Sequence, residues 1–130
     1  MPRQDRAIQG TGRNAYGVPY SETAAYEQII ARARAHDIRV YGATLLAFEG
    51  ASYFTPDGEA DRQKVNAWIR TSGAFDAVID FDAAMRDPER PSRLSAAVDG
   101  GDHLHPSAAG YRIMSDAIDL ALFVRPSGRR

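Results

Sequence analysis

Apolar residues change their spacing along this chain, and each change marks an element. Residues 1 to 20 mix polar, Gly and Pro residues with no sustained period, which predicts an irregular N-terminal arm. Ser21 is placed as an N-cap before Glu22 and the run Ala24 to Ala35. In that run Ala25, Ile29 and Ala33, joined by Tyr26 and Ile30, form one apolar stripe at helical spacing. His36 and Asp37 close the helix, and a protonated His36 would offset its macrodipole. Ile38 to Leu46 is too β-branched and apolar to continue a helix, and its apolar second half predicts a strand covered on both faces.

A loop from Ala47 to Thr55 follows, carrying Gly50, Tyr53 and Phe54. Thr55-Pro56-Asp57 then opens a second helix, with Thr as N-cap, Pro at the first helical position and acids in the first turn. Its expected inner face is Ala60, the Lys64 stem, Val65, Trp68 and Ile69, and Gly73 supplies a left-handed stop. Ala77 to Phe81 reads as a second buried strand ending in acids. Asp82 to Gly101 reads as a long loop, and a connection of that length is often functional. A last helix is expected from Pro106 to about Phe123, with Ala109, Ile113, Ala117 and Leu120 on one side and Tyr111 used for packing. Residues 125 to 130 read as a frayed tail.

Alternating helices and strands point to an α/β domain built on a parallel sheet with helices on both faces. Ligands in such sheets bind at the C-terminal ends of the strands. The loops after Leu46 and Phe81 share that edge with the approach to Pro106.

The composition narrows the chemistry. The chain has 130 residues, one domain's worth, and a net charge of −1, which excludes a globally basic nucleic-acid binder. It has no cysteine, so disulfide scaffolds, Cys-ligated zinc and Cys nucleophiles are excluded. Fifteen of its sixteen basic residues are Arg, with Lys64 the exception, a bias read as codon usage rather than phosphate recognition. No apolar stretch approaches the ~20 residues that span a bilayer, and the N-terminus lacks the apolar core of a signal peptide. The chain reads as soluble, with no membrane span and no nucleic-acid partner; its location is unknown.

The most informative stretch is Asp99-Gly100-Gly101-Asp102-His103-Leu104-His105-Pro106-Ser107. Asp102 and His105 are three apart just before a helix, so the carboxylate can turn back onto the imidazole. An ionised Asp accepting the Nδ1 proton fixes the tautomer and leaves Nε2 free as a general base. Other readings stay open on the residues alone. Asp102 can cap the following turn, His105 can substitute for an N-cap, and His103 can be the relevant imidazole. Asp102, His103 and His105 can also hold a metal, although their spacing matches no common zinc motif.

Asp102-His103-Leu104-His105-Pro106, followed by Ser107-Ala108-Ala109-Gly110-Tyr111, resembles the last block of the SGNH (GDSL-type) hydrolases, Asp-x-x-His-Pro before the C-terminal helix. Val40 to Leu45, Asn66 to Arg70 and Phe75 to Asp82 resemble that family as well, so the likeness covers roughly residues 21 to 123, within a domain expected over 21–124. The resemblance implies a flavodoxin-like three-layer α/β/α fold, hydrolysis of carboxylic esters without a cofactor or metal, and a Ser-His-Asp acyl transfer. It assigns Asp102 as the orienting acid and His105 as the base. The family's nucleophile lies in a Gly-Asp-Ser block after the first strand, and this chain contains no Gly-Asp-Ser. The second block's Gly has no counterpart. The third block, Gly-x-Asn-Asp, has an echo in Gly12-Arg13-Asn14-Ala15, where Ala replaces Asp. The chain therefore reads as the C-terminal half of such an enzyme, with N-terminal strands missing. It would act on an ester once completed by that half, or persist as an inactive remnant or interaction module. Its exposed sheet edge would favour self-association.

Overall fold

The computed structural model describes residue 12 and residues 15–124. In order these form α1 (Tyr20–Arg34), β1 (Tyr41–Ala43), α2 (Pro56–Thr71), β2 (Ala77–Ile79), α3 (Phe81–Met85) and α4 (Ala108–Asp116), closed by a 3-10 helix, Leu120–Phe123. The two strands are parallel, with Tyr41 opposite Ala77, Gly42 opposite Val78 and Ala43 opposite Ile79. Thr44 N donates to Ile79 O at 3.2 Å and Asp76 N to Val40 O at 2.9 Å, carrying the pairing just past both ends. Helices alternating with a small parallel sheet make this an α/β fold.

The start of α2 follows its sequence closely. Thr55 is extended, its hydroxyl accepts from Gly58 N at 3.0 Å, and Pro56 begins the helix where its missing N–H costs nothing. Past the other end, Gly73 takes φ +71°, the expected left-handed stop. Asp37, at φ 56°, closes the turn after α1.

Other expectations are corrected. Helix α1 begins at Tyr20 behind Pro19, one residue before Ser21, because Pro19 already holds the extended entry geometry. Its buried positions are Thr23 and Ile30, whereas Ile29 is 59% exposed and Ala25 also faces out. The stripe is turned because Tyr26 stacks on Trp68 of α2, while Arg34 at the end of α1 donates to Ala74 O at 2.9 Å and to Asp76 at 3.1 Å. Ahead of α1, Val18 is buried with Trp68 and Ile69, and Tyr16 packs beside them, so this end of the arm is part of the core. The echo residues Arg13 and Asn14 lie outside the described residues, as do residues 1–11 and the tail 125–130.

Each strand is only three residues long. Leu45 is exposed rather than covered, since β1 has one neighbouring strand among the described residues. Strand β2 stops at Ile79 because the Asp80 carboxylate accepts from Ala83 N at 3.1 Å and caps α3. The expected loop after Asp82 is ordered. It holds α3, an antiparallel bridge between Arg86 and Leu94, and a second core cluster of Met85, Leu94 and Val98 backed by Leu46 and Met114. The last helix is shorter than predicted. Ser107 caps it, Ala117 ends it, and Asp119 restarts the chain as the 3-10 helix by accepting from Ala121 N at 2.9 Å. Tyr111 is exposed.

On α2, Ala60 faces solvent and the inner face is partly polar: Arg62, Asn66, Trp68 and Ile69. Arg62 donates to Asp82 at 2.6 Å, to both carboxylate oxygens of Glu59 at 2.7 Å and to Leu45 O at 2.8 Å. Asn66 grips the same backbone, accepting from Leu45 N at 2.7 Å and donating to Leu45 O at 2.9 Å. Arg70 reaches Asp80 and Asp82, each at 2.7 Å. Thr44 completes the set, its hydroxyl accepting from Asp82 N and donating to Asp80, both at 2.9 Å. This network pins the C-terminal end of β1, and no buried side-chain nitrogen or oxygen among the described residues lacks a partner.

Candidate functional site

The segment after Val98 is pinned at its base before it does anything else. Asp99 bridges Pro106, Gly100 N donates to His105 O at 2.8 Å, and Ser107 N donates to Val98 O at 2.8 Å. The intervening residues therefore form a closed loop on the N-terminus of α4, where Ser107 Oγ accepts from Gly110 N at 3.1 Å. Ser107, not His105, is the helix cap.

Two aspartates organise this loop in the same way. Asp102 Oδ1 accepts from Leu104 N at 3.0 Å and His105 N at 2.8 Å, while Oδ2 holds His105 Nδ1 at 2.6 Å. Asp99 Oδ1 accepts from Gly101 N at 2.8 Å and His103 N at 3.0 Å, while Oδ2 holds His103 Nδ1 at 2.5 Å. One oxygen of each carboxylate closes a turn and the other orients a ring. Asp102 thus caps its turn and pairs with His105 together; the two readings are compatible.

Hydrogen bonds from the His105 ring, then from the His105 and Leu104 amides, hold the Asp102 carboxyl far below the usual carboxylate range. Partial burial pushes Asp99 upward, but the Gly101 amide and His103 outweigh it and its carboxyl is also lowered. Both acids are therefore anionic at neutral pH. An anionic acceptor at Nδ1 puts the neutral ring's proton there and leaves the Nε2 lone pair outward. The His105 side chain is 69% exposed, and its Nε2 has no hydrogen-bond partner among the described residues.

The Asp99–His103 pair went unnoticed in the sequence. Its signal was an Asp and a His four apart, overlapping a pair three apart. No group of three or more metal-ligating residues converges among the described residues. No described serine hydroxyl bonds either imidazole: Ser92 donates to Glu49, and Ser107 faces its own helix and Ala97 O.

Beside the loop runs an open groove of about 410 Å³, walled by Leu45, Leu46, Phe48, Tyr53, Val65 and Leu104, with Arg62 and Asp61 at its polar side. Leu104 lies between the two histidines in sequence, so the groove adjoins the paired turns. Tyr53 stacks on Phe48 at 5.8 Å and lines the groove, whereas Phe54 meets Phe48 edge-on at 5.2 Å and is not part of the wall. Trp68 belongs to the core, between Tyr26 and Phe75. His36 stands exposed after α1, remote from the loop in sequence and bonded to it by nothing described.

The model of the GDSL-like Lipase/Acylhydrolase family matches residues 4–113 of this chain. No curated protein matches it.

Proposed function

Because the chain belongs to the GDSL-like lipase/acylhydrolase family, we propose that it serves hydrolysis of a carboxylic ester, with His105 as the base and Asp102 as its orienting acid. What carries the reading is the 2.6 Å contact between Asp102 Oδ2 and His105 Nδ1 on an exposed side chain whose Nε2 has no partner among the described residues. In that state His105 Nε2 takes the proton of a seryl hydroxyl as its oxygen bonds the ester carbonyl carbon. It then returns the proton to the departing alcohol oxygen as the acyl–oxygen bond breaks. Water repeats the two steps on the acyl intermediate and frees the acid. Asp102 keeps the ring's tautomer and stabilises the imidazolium between steps. The apolar groove is suited to an acyl chain, with Leu104 placing that chain next to the base.

The chain carries no Gly-Asp-Ser, so the hydroxyl is taken to come from a second polypeptide segment supplying that block. Mixing the chain with such a segment should produce p-nitrophenyl butyrate hydrolysis, and His105→Ala should lower it by roughly 10²–10⁴-fold. A rate indifferent to His105→Ala would reject the assignment. That no described serine bonds either imidazole also favours a second reading, an inactive interaction module of the same fold. That reading requires binding of the complementary segment with no ester turnover in any mixture.

A further inference from the structure

The second pair, Asp99 and His103, is held as firmly as the first, yet its ring is spent on a contact. Gly50 lies in the loop between β1 and α2 at φ +101°, and a Cβ there would sit 2.8 Å from His103 Cγ and 2.9 Å from its Cδ2. Those are atoms at the root of the ring, not the far end of a mobile chain, so His103 occupies the space that any side chain at position 50 would need. His103 itself adopts φ 60°, a left-handed conformation rare outside Gly, Asn and Asp. Asp99, only 12% exposed, holds it there through both backbone and ring. On its other side the Gly50 loop is tied down by Glu49, which accepts from the Ser92 hydroxyl and pairs with Arg90, while Glu49 N donates to Ser92 O at 2.9 Å. The same loop carries Phe48 and Tyr53 into the groove.

We propose that His103 is a positioning residue: braced by Asp99, its ring presses on Gly50 and so sets the aromatic groove wall against the turn that orients His105. This rests on the functional reading above and adds to it the element that joins acyl groove to base. It also separates the two imidazoles, one facing solvent as base and the other acting as a wedge.

The test uses the full chain and approaches the contact from both sides. His103→Asn keeps a residue that tolerates the left-handed backbone and deletes the ring; Gly50→Ala keeps the ring and adds the obstructing methyl. In the native chain the long-range ¹H–¹⁵N imidazole spectrum should show His105 as the Nδ1–H tautomer alone. Either variant should admit the Nε2–H tautomer of His105 and speed amide exchange at Gly50 to Tyr53 by tenfold or more. The double variant should disturb the loop less than the two singles combined, because a methyl added at position 50 then no longer meets the ring. His103→Asn folded, with its His105 tautomer and loop exchange unchanged, would overturn the proposal; should it not fold, the same null result in Gly50→Ala would do so. Hydrolysis abolished by His105→Ala but untouched by His103→Asn, in both KM and kcat, would remove the positioning role alone. Hydrolysis indifferent to His105→Ala would remove the functional reading itself.

Discussion

A single atom decides whether His105 can act. Asp102 Oδ2 accepts from the ring, and an amide in its place would present N–H there instead, turning the imidazole to the tautomer that cannot take a proton at Nε2. Asp102→Asn should therefore leave the turn hydrogen-bonded through Oδ1 yet lower ester hydrolysis by the mixed chains on the order of 10⁴-fold. Initial rates with p-nitrophenyl butyrate, read beside the ¹⁵N shifts of His105, check both halves of that statement. This pair was legible in the sequence because a three-residue spacing before a helix leaves the carboxylate few other places to go. Asp99 and His103 obey the same local rule, but the His103 wedge depends on Gly50, which no spacing within the loop announces.

Among the elements, α2 carries the largest departure from its hydrophobic pattern. Arg62 is nearly fully buried, and Asp82 is 0% exposed among Arg62, Arg70 and Arg86. Removing one partner of such a pair leaves uncompensated buried charge, so Asp82→Ala should destabilise the chain by about 3–5 kcal/mol in urea unfolding. Thr55→Ala, which deletes the hydroxyl cap of the same helix, should cost only about 1 kcal/mol in the same assay. The Arg70 guanidinium, opposed by partial burial, lowers the Asp80 carboxyl to about 2. Since an unfolded Asp titrates near ~3.9, the unfolded chain binds protons first as the pH falls. The stabilisation from Asp80 is then full above that value and is lost as the pH drops through about 2. Asp80→Asn should accordingly lower stability at neutral pH and flatten the acid limb of a denaturation-midpoint profile. The caps at Thr55 and Gly73 were readable because they are local; the burial of Arg62 and Arg70 was not, because Asp80 and Asp82 lie outside α2.

At the scale of the whole molecule, the described sheet has two strands, and the far side of β1 carries no strand. Ile29, Leu45, Leu120 and Phe123 are all exposed. Self-association through that edge is the expected consequence. Sedimentation should give a weight-average mass that rises with concentration, and Ala43→Lys, placing charge on the exposed edge strand, should suppress the rise. A mass independent of concentration in the native chain would count against edge pairing. No described helix is long and apolar enough to cross a membrane.

The sequence by itself determined the order of α1, β1, α2, β2 and α4, though not α3, together with the cap and stop of α2 and a spacing that lets Asp102 reach His105. Those depend on residues a few positions apart, where backbone geometry limits the choices to a handful. Only the tertiary structure decided which side of α1 is buried, why arginines line the inner face of α2, that the stretch after Asp82 has a core of its own, and that His103 rests on Gly50. Each of these is a contact between distant segments. Its existence follows from which surfaces the folded chain brings together, and no local pattern of polar and apolar residues encodes that on its own.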